Sequence, residues 1–260
     1  MNPAAFEQLL KQAMGLDAAS IGTAMVERAV QERQAALGLA DARAYWDCLQ
    51  GSAAELQELI ETVVVSETWF FRDREAFAAL ARLGHEEWLR RPEQEPQRLL
   101  SLPCSTGEEP YSMAMTLLDA GLPSAAFRID AVDISARALA RARRAIYGRN
   151  SFRGADLAFR ERHFSEEPGG YQLGAAARTS VQLQQGNLLA PDFLPGAALY
   201  DVIFCRNVLI YFDRATQDRA IAVLQRLLKD RGTLFVGPAE TGLLLDHQFV
   251  SSKWPLAFAF

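Results

Sequence analysis

The sequence predicts an α/β fold, a doubly wound and mostly parallel sheet, preceded by an all-α segment. Three observations carry the prediction. Residues 1–90 show helical apolar spacing and no strand-like run. Residues 98–118, RLLSLPCSTGEEPYSMAMTLL, read as a short buried strand, a tight turn and a helix, the opening unit of a nucleotide-type α/β domain. Further short apolar runs follow near 127–132, 181–185, 202–204 and 232–237, separated by helical or polar stretches, as in repeated βαβ units.

Length and composition set bounds on this reading. A chain of 260 residues, half of them hydrophobic, has room for one large domain or a core with an accessory domain. A net charge of −5 argues against a general nucleic-acid binder. The opening MNPAAFEQLLKQAMG lacks a basic stretch followed by a long apolar one, so no secretory signal is expected. No apolar run approaches membrane-spanning length, and membrane insertion is not expected. Cys48, Cys104 and Cys205 are odd in number and far apart, which suits buried thiols in a reducing compartment. His85, His163 and His247 show no ligand spacing, and no metal site is expected.

In the first segment, Phe6, Leu9 and Leu10 open one amphipathic helix. Met25, Val26, Ala29, Val30 and Leu37 mark a second, closed by Gly38. Tyr45, Trp46 and Leu49 fit a third, and Leu56, Leu59, Ile60 and Val63 a fourth, by the 3.6-residue period. The polar, proline-containing RRPEQEPQ at 90–97 reads as a linker. The expected division is therefore a helical domain over 1–90, a linker over 91–97 and a second domain over 98–260. Ahead of the linker, VVVSETWFFRDREAF (63–77) sets Trp69, Phe70 and Phe71 side by side. Consecutive aromatics cannot all face one core. Either some cover a second surface or they close over a ligand, and core packing leaves Thr68 and Arg72 unexplained.

The turn at 105–107 says most about a ligand. Phosphate-binding turns are rich in Gly and offer bare N–H groups or a Lys. This one has a single Gly followed by Glu108 and Glu109. Carboxylates repel phosphate and attract a cation, so a positively charged nucleoside such as S-adenosylmethionine fits the turn. Both acids, with Pro110, also suit the first turn of a helix by the dipole argument alone.

The later strands add polar ends. Phe127, Ile129, Ala131 and Val132 form a second strand with Asp133 at its end, where a ribose-binding carboxylate belongs, although an acid there also serves as a helix cap. The arginines of ARALARARRAIYG (136–148) read as a solvated helix face. A polar, Gly-rich insertion follows, expected to hold a small antiparallel element over about 155–182. VQLQQGNLL places Asn187 after another strand, and LYDVIFCRNVLIYF places Arg206 and Asn207 after a fully apolar one. A helix over 214–230 and a strand over 232–237 follow, and apolar pieces near 249–250 and 256–260 are expected to pair as a closing hairpin. The Gly107 turn, Asp133, Asn187 and the Arg206–Asn207 pair thus converge at the carboxyl ends of strands, where open α/β sheets bind ligands.

Together these residues resemble the CheR-type family of chemotaxis receptor protein-glutamate O-methyltransferases, most closely its Wsp surface-sensing branch. The matching pieces are SETWFFRD (66–73), STGEEPYSMA (105–114), AVDIS (131–135), IYG (146–148), FCRNVLIYFD (204–213) and LLKDRGTLFVG (227–237), in the family's order and across essentially the whole chain. The resemblance implies a class I, Rossmann-like methyltransferase domain with a small β-subdomain inserted, behind a helical N-terminal domain. It implies S-adenosylmethionine as cofactor and S-adenosylhomocysteine as product. It also implies Thr68 and Arg72 as cofactor contacts, Glu109 for the methionyl amino end, Asp133 for the ribose, and Asn187 with Leu188 for the adenine region. Arg206 and Asn207 would complete the pocket, with Tyr211 near the transferred methyl. Arg72 and Tyr211 are the candidate catalytic, substrate-orienting residues, and Arg72 fits a purely cofactor-binding role equally well.

The implied partner is the cytoplasmic helical region of a chemoreceptor-like protein, and the implied setting is a bacterial cytoplasm, with a monomer favoured. Ser66 departs from the family, standing where many members have Asn, so a shorter polar contact is expected there. The helix MVERAVQERQAALG mixes Glu27 and Glu32 with Arg28 and Arg33, unlike the Arg-rich docking helix of many members. Some members continue into helical repeats beyond the point where this chain stops. The alternatives are a methyltransferase for another substrate and a non-catalytic cofactor-binding adaptor. A nicotinamide oxidoreductase is disfavoured by the missing G-x-G-x-x-G and the two acids of the turn.

Overall fold

The computed structural model describes residues 3–89, 95–154 and 156–260. Its contacts divide the chain into two compact units, Met1–Val65 with Val208–Ala220, and Ser66–Asn207 with Ile221–Phe260.

The first unit contains α1 (Pro3–Met14), α2 (Ala18–Ile21), α3 (Thr23–Ala36), α4 (Ala42–Gly51) and α5 (Ala53–Val63). Four of these match the four amphipathic patterns, and α2 is a short addition. Phe6, Leu10, Val26, Val30, Tyr45, Leu49, Leu59 and Ile60 are buried. The Phe6 ring lies 5.9 Å from Tyr45 and meets Trp46 edge-on at 5.2 Å. The Asp41 side chain caps α4 by accepting from the Arg43 and Ala44 amides, both at 2.9 Å, and Ser52 caps α5 through the Glu55 amide at 3.1 Å, the role these residue types favour. The 208–220 segment joins this unit through the Leu16–Phe212 bridge, the Asp17 amide donating to the Tyr211 carbonyl at 2.9 Å, and the Lys11–Asp213 ion pair at 2.6 Å.

In the second unit, β1 (Gln97–Ser101), β2 (Phe127–Asp133), β6 (Val181–Gln185), β7 (Tyr200–Phe204) and β8 (Leu228–Phe235) form a five-stranded sheet in the order β6-β2-β1-β7-β8. Every pairing among them is parallel. Leu99 of β1 sits in register with Ile129 and Val202, and all three are buried, as expected of parallel strands covered on both faces. The strand order reverses at β1, so the crevice beside its carboxyl end is the topological switch point.

The helices of this unit are α6 (Arg74–Leu83), α7 (Glu108–Asp119), α8 (Ala136–Arg144), α9 (Ala158–His163), α10 (Ala175–Thr179), the C-terminal part of α11 (Arg214–Leu227), and α12 (Thr241–Asp246). A smaller antiparallel sheet has the order β3-β5-β4, from β3 (Ile146–Tyr147), β4 (Phe164–Glu167) and β5 (Gly170–Leu173). Among the described residues no helix is long and apolar enough to cross a membrane.

Four boundaries differ from the sequence reading. The compact units part at Val65/Ser66, ahead of the linker placed at 91–97, of which 91–94 lie outside the described residues. The apolar face of α6, with Ala76, Phe77, Leu80 and Leu83, belongs to the same core as Met113, Leu117 and Phe204, and a polar, proline-containing stretch marks a loop without marking what that loop separates. The small sheet begins at β3, earlier than 155, and Val181–Gln185 belongs to the main sheet. Helix α11 ends at Leu227 and β8 begins at Leu228, ahead of the expected 232. The tail forms no hairpin between 249–250 and 256–260. Instead Leu234 and Phe260 exchange backbone hydrogen bonds at 2.9 Å each, and the Val236 amide donates to Phe258 at 3.0 Å. The free edge of β8 offers a ready ladder for those last residues.

Candidate active site

The site is built on strand ends. Ser101 closes β1, and the chain turns through Leu102–Gly107 into α7. Gly107 has φ +97°, and a Cβ there would lie 2.8 Å from Tyr147 Oη and 2.9 Å from Ala142 Cβ. The turn therefore requires glycine for both conformation and space. Tyr147 also donates its hydroxyl to the Thr106 carbonyl at 2.8 Å.

The two acids after Gly107 have different partners. Glu108 turns inward and accepts from the Thr106 hydroxyl at 2.6 Å and the Ser151 hydroxyl at 2.8 Å. Burial pushes its carboxyl above the usual range, and the two hydroxyls partly oppose that. Glu108 thus pins the turn to the 149–151 segment, and only Glu109 of the pair faces the charged centre. Glu109 accepts from Ser101 Oγ at 2.8 Å through Oε1 and from Arg206 Nη1 at 3.0 Å through Oε2. Burial raises its carboxyl, while Arg206, Ser101 and the nearby charge of Arg72 favour the ionised form. The Arg206 side chain is only 2 % exposed, and its Nη2 donates to Asp73 Oδ2. Its Nε and the Ser105 hydroxyl are buried with no hydrogen-bond partner among the described residues.

Asp133, at the end of β2, accepts from the Ser105 amide at 2.7 Å and the Ser135 amide at 2.8 Å. Its role as a helix cap passes to Ser135, whose hydroxyl accepts from the Ala138 amide at 2.9 Å. The Gly186 amide donates to the Asp133 carbonyl at 3.0 Å, which brings the Asn187 loop beside Asp133. Asn187 folds that loop by accepting from the Leu189 amide at 3.0 Å, and Leu188 is buried. At the end of β7, Asn207 adopts φ +60°, and its amide donates to Glu240 Oε2 at 2.9 Å. The Gly237 amide donates to the same oxygen at 2.6 Å.

The 66–73 segment is docked by the Phe70 amide donating to the Ser151 carbonyl at 2.9 Å and the Phe71 amide donating to Ser112 Oγ at 3.0 Å. Its three aromatics diverge. Phe70 is buried against Tyr147 and Phe164, at 4.8 and 5.1 Å between ring centres. Phe71 packs on Phe159 at 4.6 Å and Phe77 at 5.3 Å. The Trp69 ring carries the guanidinium groups of Arg72, at 4.6 Å from its centre, and Arg153, at 4.5 Å. Arg72 is half-buried and donates to the Glu67 carbonyl at 3.2 Å. Thr68 is half-buried and Ser66 exposed.

The second unit therefore contains Ser66, Thr68, Arg72, Glu109, Asp133, Asn187, Leu188, Arg206 and Asn207. Tyr211 lies in the first unit, in the single 3-10 turn Leu209–Tyr211. Sequence reasoning missed Ser101, Asp73 as a partner of Arg206, and Glu240. Asp73 carried a signal as the acid next to Arg72, and Glu240 as an acid just past an apolar strand. Ser101 looked like any small strand residue.

A parallel α/β sheet with acids and one buried guanidinium at its switch point defines a nucleoside-binding domain for a cationic ligand. Residues 66–256 match the family model of the CheR methyltransferase SAM binding domain, and residues 4–64 match that of the CheR methyltransferase all-alpha domain. The chain belongs to the CheR methyltransferase family. It is 54 % identical over 255 residues to the probable biofilm formation methyltransferase WspC of Pseudomonas aeruginosa, covering 98 % of this chain and 60 % of that protein. It is 35 % identical over 253 residues to the chemotaxis protein methyltransferase of Salmonella typhimurium, covering 93 % and 84 %. The WspC protein of Pseudomonas putida is 52 % identical over 244 residues, covering 94 % and 58 %. The chain thus spans about 60 % of the length of the WspC proteins it matches.

The residues fit S-adenosylmethionine. Glu109, Asp73 and Asp133 outnumber the buried Arg206, and the turn offers neither a Lys nor a glycine-rich phosphate cradle.

Proposed function

We propose that the chain transfers a methyl group from S-adenosylmethionine to the γ-carboxylate of glutamate side chains on a chemoreceptor-like signalling protein, forming a glutamate methyl ester. The observation that carries this reading is the half-buried Glu109, held between Ser101 and Arg206 at the switch point of the sheet. When bound, S-adenosylmethionine supplies an electrophilic methyl, so that an oxygen–carbon bond forms as the carbon–sulfur bond breaks and its electron pair stays on sulfur. A glutamate carboxylate, with pKa about 4.3, is already ionised at neutral pH. The chain's own residues need move no proton, and their work is alignment and exclusion of water.

In this reading Glu109 takes the methionyl amino group and Asp133 the ribose hydroxyls. Asn187 and Leu188 flank the adenine, and Arg206 and Asn207 complete the pocket. Ser66, Thr68 and Arg72 approach from the 66–73 segment, and Arg72 and Tyr211 orient the reacting groups. The half-buried Arg72, close enough to favour ionised Glu109, supports its part.

The proposed partner is a helical cytoplasmic region of a receptor. Support comes from relatives whose names refer to chemotaxis and biofilm formation. The free thiols of Cys48, Cys104 and Cys205 support a cytoplasmic setting.

The test begins with calorimetric titration by S-adenosylhomocysteine beside NADH and ATP. Selective binding of S-adenosylhomocysteine is expected. Receptor fragments and small carboxylic acids are then assayed for base-labile methyl esters, with ester expected on the fragments alone. Binding without transfer would leave a cofactor-binding adaptor, and preference for NADH would overturn the reading.

A further inference from the structure

We propose that Asp73 is a positioning residue that shares Arg206 with Glu109 and so keeps Glu109 able to take the cofactor's amino group. The inference rests on the reading of Glu109 given above.

The argument starts from charge. Arg206 is the buried cation, and its two Nη atoms go to different carboxylates, Nη1 to Glu109 and Nη2 to Asp73. A guanidinium is a rigid fork that matches one carboxylate with two parallel hydrogen bonds. Were Asp73 neutral, its hold on Nη2 would lose the charge that strengthens it, and Arg206 would turn toward the remaining anion, Glu109, as a neutral bidentate pair. A neutral pair attracts an ammonium group only as a dipole. With both acids ionised, the Asp73–Arg206–Glu109 triad carries one net negative charge, and Glu109 is left with a single bond to Arg206 beside that from Ser101.

The local geometry of Asp73 supports the assignment. Asp73 occupies the N-cap position of α6, where aspartate normally accepts from the first free amides of its helix. Here it makes no side-chain cap hydrogen bond and adopts a left-handed φ of +56°. Aspartate is among the few residues with a Cβ that visit this region, so the missing cap bond is the informative feature. The carboxylate is turned from its own helix toward Arg206. Asp73 closes the segment that carries Thr68 and Arg72, so it reaches Arg206 from a different element than Glu109, which lies on α7.

A merely structural role predicts a different result. If Asp73 only anchors the 66–73 segment, its loss weakens every ligand that the segment touches. If it tunes Glu109, the loss falls on ligands that carry the amino-acid end. Calorimetry on the full chain therefore compares S-adenosylhomocysteine with 5′-methylthioadenosine, which keeps the nucleoside and sulfur but lacks the amino and carboxylate groups. Asp73→Asn is expected to weaken S-adenosylhomocysteine about tenfold, about the effect of one poorly screened charge, and to leave methylthioadenosine within about twofold. Asp73→Glu, which keeps the charge, is expected to restore most of the affinity. Asp73→Ser gives the same reading should Asp73→Asn fail to fold.

Equal losses on both ligands would overturn the inference. So would an unchanged Asp73→Asn protein when Glu109→Gln selectively weakens S-adenosylhomocysteine, and in that case the reading of Glu109 stands. If Glu109→Gln has no selective effect, the reading of Glu109 fails and the inference falls with it.

Discussion

Arg72 lies over the Trp69 ring, as does Arg153. Flat guanidinium groups pack well on indole rings, and the contact restrains a side chain that would otherwise sample many rotamers. Arg72 also lies within electrostatic reach of Glu109. If it orients substrate, Arg72→Ala lowers methyl transfer at least about tenfold further than it lowers S-adenosylhomocysteine affinity, a gap consistent with a lost charge-assisted contact. Single-turnover transfer and calorimetry on the same protein check this, and equal losses would reduce Arg72 to a cofactor contact. The motif SETWFFRD announced that Arg72 needed an explanation beyond core packing. It did not announce the Arg153 contact, because Arg153 lies far along the chain and the docking of 66–73 on Ser151 brings it near.

At the scale of elements, Glu55 ties α3, α4 and α5 together. Arg33 of α3 grips its carboxylate with two bonds, at 2.8 and 2.7 Å, and Tyr45 of α4 donates its hydroxyl at 3.0 Å. The Arg33 bonds hold the Glu55 carboxyl below its ordinary value, against the effect of burial. A depressed carboxyl adds stability above its unfolded pKa, about 4.3 for glutamate, and that stability is lost as pH falls through the folded value. Denaturant melts from pH 7 to pH 3 are expected to show a loss below about pH 4 that Glu55→Gln reduces. At pH 7 the same variant is expected to cost about 2 kcal/mol, since Arg33 loses its charged hydrogen-bond partner and keeps only Glu58, at 3.3 Å. In the sequence, the mixed signs of 25–38 read as a departure from an Arg-rich docking helix. The structure gives Arg33 of that stretch an internal partner, which a linear charge pattern cannot reveal.

For the whole molecule, the first unit is discontinuous. Val208–Ala220 returns to the N-terminal helices after four of the five sheet strands have been laid down. Leu209 and Phe212 are buried, the Asp17 amide reaches the Tyr211 carbonyl, and Lys11 pairs with Asp213. Removing residues 1–65 therefore strips partners from a segment that follows directly on Arg206 and Asn207. The shortened chain is expected to melt several degrees lower, as a loss of about 1–2 kcal/mol would produce, and to bind an apolar dye. A truncated chain with unchanged melting and no dye binding would show that 208–220 stands without its helical partners.

Local pattern alone determined the secondary-structure class of each half, the strand–turn–helix at Gly107 and the polar strand ends, because these depend on periodicity and on residue types at short spacing. The family motifs added the cofactor class. Tertiary structure alone decided that α6 packs with the sheet, that Glu108 and Glu109 part company, and that Asp73 and Arg206 meet. Those outcomes depend on long-range burial and on charge pairs formed between residues as far apart in sequence as 73 and 206, which a hydrophobic period does not encode.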